Sequence, residues 1–158
     1  MAVFTYAAYA GMTTNTGGPT SIGAAWTPVN WFTTETPTAR GFTVDVPNGT
    51  VAPDNPGVYA VSVNVNIQGH NSSNGGRVTG LRLYDVTNGA PVGGGAQIGI
   101  GRNQEDTFVG TTFLIEVATG GAVRLEVGGY DSVTSIDNWI VRFQVWSVGE
   151  YRGVLGNE

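Results

Sequence analysis

The chain has 158 residues, no cysteine and no lysine; its seven cations are all arginine, and its formal net charge is −5. The first absence excludes disulfide frameworks, thiolate zinc sites and cysteine nucleophiles, the second excludes Schiff-base lysines and a phosphate-loop lysine, and scattered arginines on an acidic chain exclude a basic nucleic-acid footprint. The length suits one domain, which buries roughly 70% of the surface its unfolded chain exposes.

Glycine is abundant at 25 residues while charged residues make up 12%, a mixture suited to short strands and tight turns rather than helices. No apolar run approaches the roughly 20 residues of a membrane helix, so no membrane partner is expected. The start, Met1 to Ala10, lacks the basic segment of a secretory signal. The expectation is a protein used in a cytosol or released as part of a particle.

Residues 1–20 differ from the rest. Phe4, Tyr6, Tyr9 and Met12 are apolar or aromatic, and Thr13 to Thr20 is Thr/Asn/Gly/Pro-rich. The segment reads either as a first strand of the domain or as an arm whose aromatics plug into a partner, since amphipathic rings are favoured interface anchors. The division adopted is an N-terminal arm over 1–20, a domain over 21–148 and a tail over 149–158.

Ile22 to Thr33 is apolar and aromatic, with Trp26, Val29, Trp31 and Phe32, and Pro28 implies an edge or bulge. Phe42, Val44 and Val46 alternate before the turn Pro47-Asn48-Gly49, and Thr50 to Ala52 forms a short strand. The clearest strand follows the turn ending at Gly57. Tyr59, Val61, Val63, Val65 and Ile67 point to one side; Ala60, Ser62, Asn64 and Asn66 point to the other. A one-residue slip would put the polar set into the core, so this register is strongly specified.

Val78 to Val86 carries Leu81 and Leu83 on one face, Arg82 and Tyr84 on the other, and ends at the turn dipeptide Asn88-Gly89. Gly93 to Gly101 reads as a flexible segment. Thr107 to Val117 places Val109, Phe113, Ile115 and Val117 on one side and Phe108, Leu114 and Glu116 on the other. Val123, Leu125 and Val127 form the next strand, with Arg124 and Glu126 facing out, and Trp139 to Val148 closes the domain. About ten strands with no helix predict an all-β, two-sheet antiparallel sandwich.

Two strands are apolar on both faces. Phe108, Leu114, Ile140 and Trp146 lie opposite the core residues of their strands. A monomer rarely shows water a contiguous apolar patch above a few hundred Å², so these four residues are the expected contact between copies of the chain.

Gly57-Val58-Tyr59-Ala60-Val61 and Gly110-Thr111-Thr112-Phe113-Leu114-Ile115-Glu116-Val117, the latter followed by Gly120-Gly121-Ala122-Val123-Arg124-Leu125-Glu126-Val127, resemble the jelly-roll family of complement globular heads and tumour necrosis factor. The likeness covers roughly residues 22 to 148 and implies a ten-stranded jelly roll that assembles as a homotrimer. The family's usual closing pattern (Phe, a small residue, Gly, an aromatic) is missing, and no collagen-like stalk precedes the domain. In its lysine-poor, Gly/Thr/Asn-rich style the chain looks like bacteriophage virion parts.

Catalytic chemistry finds little support. His70, the one histidine, sits in His-Asn-Ser-Ser-Asn-Gly-Gly and reads as a solvated turn residue. Glu105 and Asp106 are neighbours that would project to opposite faces of a strand. Asp131 and Asp137 flank a loop that is either solvated or able to hold calcium with backbone oxygens, though without EF-hand spacing. Gly93-Gly94-Gly95 is not followed by a helix, as a phosphate loop would be. No cofactor, metal or catalytic residue is assigned.

The expectation is therefore a non-enzymatic, homotrimeric capsid decoration or cement protein, assembled in the host cytoplasm and residing in the virion. Its partners are its own copies and the major capsid protein or another virion protein, with Phe4, Tyr6 and Tyr9 forming the capsid-contact arm. A chain beginning at its own methionine suits that role better than a fibre tip. The alternative is a tail-fibre or adhesin head that binds a cell-surface carbohydrate or protein through loops 69–77, 89–106 and 129–138, with Tyr130, Asn71, Asn74, Asn103 and Asn138 as contacts.

Overall fold

The structure is a computed structural model that describes residues 3–6, 8–14, 17–69, 77–100, 106–118, 121–148 and 151–154. In chain order its strands are β1 (Val3–Tyr6), β2 (Tyr9–Thr13), β3 (Thr27–Pro28), β4 (Thr34–Glu35), β5 (Phe42–Asp45), β6 (Thr50–Pro53), β7 (Gly57–Gln68), β8 (Arg77–Asp85), β9 (Ala90–Ile100), β10 (Thr107–Val117), β11 (Val123–Gly128), β12 (Asn138–Ser147) and β13 (Tyr151–Val154). A five-stranded sheet runs β10-β7-β12-β2-β4. A six-stranded sheet runs β5-β6-β11-β8-β9, with β3 also paired to β11. Every pairing is antiparallel, and β1 pairs with β13 as a separate ribbon. This is a two-sheet jelly-roll sandwich, and no helix among the described residues is long and apolar enough to cross a membrane.

β7 is the spine. It hydrogen-bonds β10 along its whole length on one side and β12 on the other, with Val63 facing Thr111 and Phe143. The residues expected inside, Tyr59, Val61, Val63, Val65 and Ile67, are all buried. Phe113, Ile115, Trp139, Val141, Phe143 and Val145 extend the same layer, and Leu81, Leu83, Ile98, Ile100, Val123, Leu125 and Val127 meet it from the opposing sheet. Edge-on rings lock the layers, with Phe32 and Phe143 centred 6.4 Å apart and Phe42 and Tyr59 5.1 Å apart. The Tyr59 hydroxyl donates to the Asn55 carbonyl at 2.6 Å, which lets a phenol sit in the core with its polar group satisfied.

Both turn dipeptides behave as read. Gly49 and Gly89 have φ of 66° and 69°, and the residues before them, Asn48 and Asn88, donate main-chain N–H groups to the carboxylates of Asp45 and Asp85.

Three expectations change. First, residues 8–14 are part of the sandwich, not of an arm. β2 lies between β12 and β4, and Ala8, Ala10 and Met12 are buried. Thr14 then fastens the chain by donating to the Trp139 carbonyl at 2.9 Å and accepting from Val141 N–H at 3.0 Å. Second, most of the segment read as flexible around Gly93 is β9, an eleven-residue edge strand with a bulge opposite Arg82/Leu83. Gly93 has φ 68°, and a β-carbon there would press on Ile115 Cγ2, so glycine is what lets β9 approach β10. Third, the strand expected over 22–33 is mostly irregular: Ile22 makes one bridge to Val133, and only Thr27–Pro28 joins the ladder.

Phe143 is fully buried at the centre of the sandwich. Phe143→Ala is expected to lower unfolding stability by about 4 kcal/mol, measured by urea denaturation.

Candidate functional site: two exposed sheet faces

The outward side of the five-stranded sheet can be read row by row from its register. Phe108, Asn66 and Ile140 are side by side; next come Gly110, Asn64 and Arg142, then Thr112, Ser62 and Gln144, then Leu114, Ala60, Trp146 and Tyr9. Phe108 is 72% exposed, Leu114 65%, Trp146 40% and Tyr9 36%, while Ile140 is half-buried. The sequence thus placed Phe108, Leu114, Ile140 and Trp146 on one face of the sheet. What the sequence concealed is that they do not form one stripe. Phe108 and Ile140 stand at one end, and Leu114, Trp146, Tyr9 and Val58 at the other, roughly 20 Å away along the strands, with a polar belt between.

A groove of about 490 Å³ opens beside Phe108 and Ile140, and Asn64, Asn66, Gly110 and Arg142 also line it. At its base Asn66 is 9% exposed, and its Oδ1 has no hydrogen-bond partner among the described residues. An unmet buried acceptor costs about 1–3 kcal/mol. A donor from outside the subunit would relieve that cost.

Of the proposed arm residues, Phe4 and Tyr6 have their backbone in β1, and their side chains lie outside the described residues. Tyr9 is in β2 opposite Trp146, so it extends the outer face of the sheet and is not part of an arm.

The outward side of the six-stranded sheet is built differently. Glu126, expected to face solvent, does point outward but is only 3% exposed, because two arginines and their neighbours cover it. Arg82 donates through Nε, and its Nη2 lies 2.7 Å from Glu126 Oε2; Arg124 donates to Oε1 through Nη2 at 2.6 Å. The Arg82 guanidinium lies 4.3 Å from the Trp26 ring centre and 5.2 Å from that of Tyr84, and Arg124 lies 5.0 Å from Tyr84. Trp26 meets Tyr130 edge-on at 6.4 Å. Alternation already placed Arg82 and Tyr84 on one face of a strand and Arg124 and Glu126 on one face of another. Only the pairing of Glu126 with Arg82 across β11 and β8 brings them together.

The other sequence candidates separate. His70, Asn71, Asn74, Asn103 and Glu105 lie outside the described residues. Asn138 is engaged structurally, accepting from Gly17 N–H and donating to Gln68 Oε1. The Asp131 carboxylate accepts the Val78 N–H at 3.0 Å, which ties its loop to β8. No group of three or more His, Cys, Asp or Glu able to hold a metal ion occurs among the described residues.

Glu126→Ala removes the shared acceptor of two arginines that keep partial contact with water. It is expected to cost about 2 kcal/mol in chemical denaturation, whereas Glu126→Gln recovers part of that loss.

The sequence matches no family model and no curated protein. In fold it is similar to three solved structures. The globular domain of zebrafish complement 1qA protein has a TM-score of 0.58 and 14% identity over 91% of this chain and 99% of that one. PRD1 vertex protein P5 has a TM-score of 0.53 and 16% identity over 94% and 100%. Eiger TNF from S. frugiperda has a TM-score of 0.52 and 12% identity over 98% and 99%. At these identities the likeness is one of fold.

Proposed function

We propose that the chain is a non-enzymatic structural protein of a bacteriophage virion, a homotrimeric decoration or cement protein of the head. The observation that carries this reading is the outer face of the five-stranded sheet. Phe108, Leu114 and Trp146 are large and apolar and stand in water in the single subunit, and the buried Asn66 acceptor beside Phe108 lacks a donor. A second copy packed there removes apolar surface from water at about 25 cal/mol per Å² gross and brings polar groups within reach of Asn66. Three copies, rather than two, are what the resemblance to complement heads and tumour necrosis factor implies. The presence of a vertex protein among structures of similar fold supports a place in a virion.

In this reading the interface divides in two. The Phe108/Ile140 end and the Leu114/Trp146/Tyr9 end are dry contacts, and the belt of Asn64, Ser62, Thr112, Gln144 and Arg142 between them fixes register through hydrogen bonds. Capsid contact falls to the N-terminal segment that includes Phe4 and Tyr6, whose backbone forms the ribbon with β13 over Val3–Tyr6.

Two variants separate these roles. Phe108→Arg combined with Leu114→Arg is expected to give a folded monomer by light scattering at micromolar concentration, with an unchanged β-sheet circular dichroism spectrum. Deleting residues 1–6 is expected to preserve the trimer and abolish binding to phage heads. A double arginine variant that remains trimeric contradicts the assigned interface, and undiminished head binding by the truncated chain contradicts the assigned contact.

A further inference from the structure

We infer that the outer face of the six-stranded sheet carries a saccharide site, in the groove between the Trp26–Tyr130 pair and the glycine bulge of β9. The groove has a volume of about 450 Å³; Trp26 and Tyr130 form one wall, Pro91 and Gly93–Gly95 another, and Arg82 and Gln97 supply polar groups. It is on the opposite sheet from the proposed subunit contact, so it is independent of that assembly.

The aromatic wall depends on glycine. A β-carbon on Gly80 would overlap both the Trp26 and the Tyr130 ring, and one on Gly129 would overlap Trp26. Only bare backbone lets the two rings lie directly on the sheet. Tyr130 remains 43% exposed, which leaves ring surface for a ligand.

Arg82 is held before any ligand arrives. Trp26 and Tyr84 contact its guanidinium, and Nε and Nη2 are directed at the buried Glu126 carboxylate. Its Nη1 edge has no bond to a described residue. A guanidinium fixed in this way donates to a ligand with little further loss of side-chain freedom. Gln97 is exposed and adds an amide that both donates and accepts. Opposite them, Gly93, Gly94 and Gly95 present backbone without side chains and leave room for a ring.

A partly exposed tyrosine ring beside fixed donors and a low glycine wall matches a pyranose, which has an apolar C–H face and a rim of hydroxyls. The groove's breadth suits one or two sugar units. Local charge supports retention of hydroxyl-rich or carboxylate-bearing sugars, because Arg82 and Arg124 share the single carboxylate of Glu126.

The test is a glycan array carrying neutral and acidic hexopyranosides, probed with the full chain and followed by ligand-observed NMR titration of each retained saccharide. The expected result is retention of at least one saccharide class. Tyr130→Ala and Gln97→Ala should each weaken binding by about tenfold while leaving the oligomeric mass unchanged, and Gln97→Ala should also leave the melting temperature unchanged. The inference is overturned if no saccharide binds at about 10 mM, a weak-binding ceiling for so small a contact. It is also overturned if both variants bind as tightly as the parent, or if the groove responds to a single-stranded oligonucleotide and not to sugars.

Discussion

One strand with hydrogen-bonded neighbours on both sides governs this molecule. β7 is paired with β10 and β12 over most of its length, and its period of two allows no freedom: once Tyr59 to Ile67 face inward, every intervening residue of all three strands faces out. The inward set alone supplies a complete sandwich layer. Phe108, Leu114, Ile140 and Trp146 are consequently excluded from the core by geometry, however apolar they are. These residues form a second apolar surface on the outside of the sheet, and the unmatched Asn66 oxygen lies among them.

The other sheet solves a similar problem within the subunit. Its outward charges are not left in water but compacted, with Glu126 buried beneath Arg82 and Arg124 and the arginines stacked on Trp26 and Tyr84. A polar face closed by its own aromatic lid has less need of another subunit. That contrast is why the proposed self-association is placed on the five-stranded sheet and the proposed small-ligand site on the six-stranded one.

Strands with strict alternation were legible residue by residue in the sequence: β7, β8, β10, β11 and β12 begin and end within a residue or so of their reading. Illegible strands were those whose stabilisation is tertiary. β9 is glycine-rich and looks like a loop, because glycine carries no apolar side chain to signal burial and Gly93 serves close approach to β10. β2 looked like part of an arm because its buried residues are Ala10, Gly11 and Met12, and the first two carry little periodic signal. The four outer-face residues could be named from alternation alone, but their division into two ends required the cross-strand register. The Arg82–Glu126–Arg124 cluster needed the pairing of β8 with β11, which no local pattern encodes.

The central claim is that the outer face of the five-stranded sheet is covered in solution. Hydroxyl-radical footprinting of the native chain measures this most directly. Covered residues give Phe108, Leu114 and Trp146 oxidation rates close to that of the buried Trp139 after correction for intrinsic reactivity. Rates that instead follow their 72%, 65% and 40% exposures in the single subunit would contradict the account.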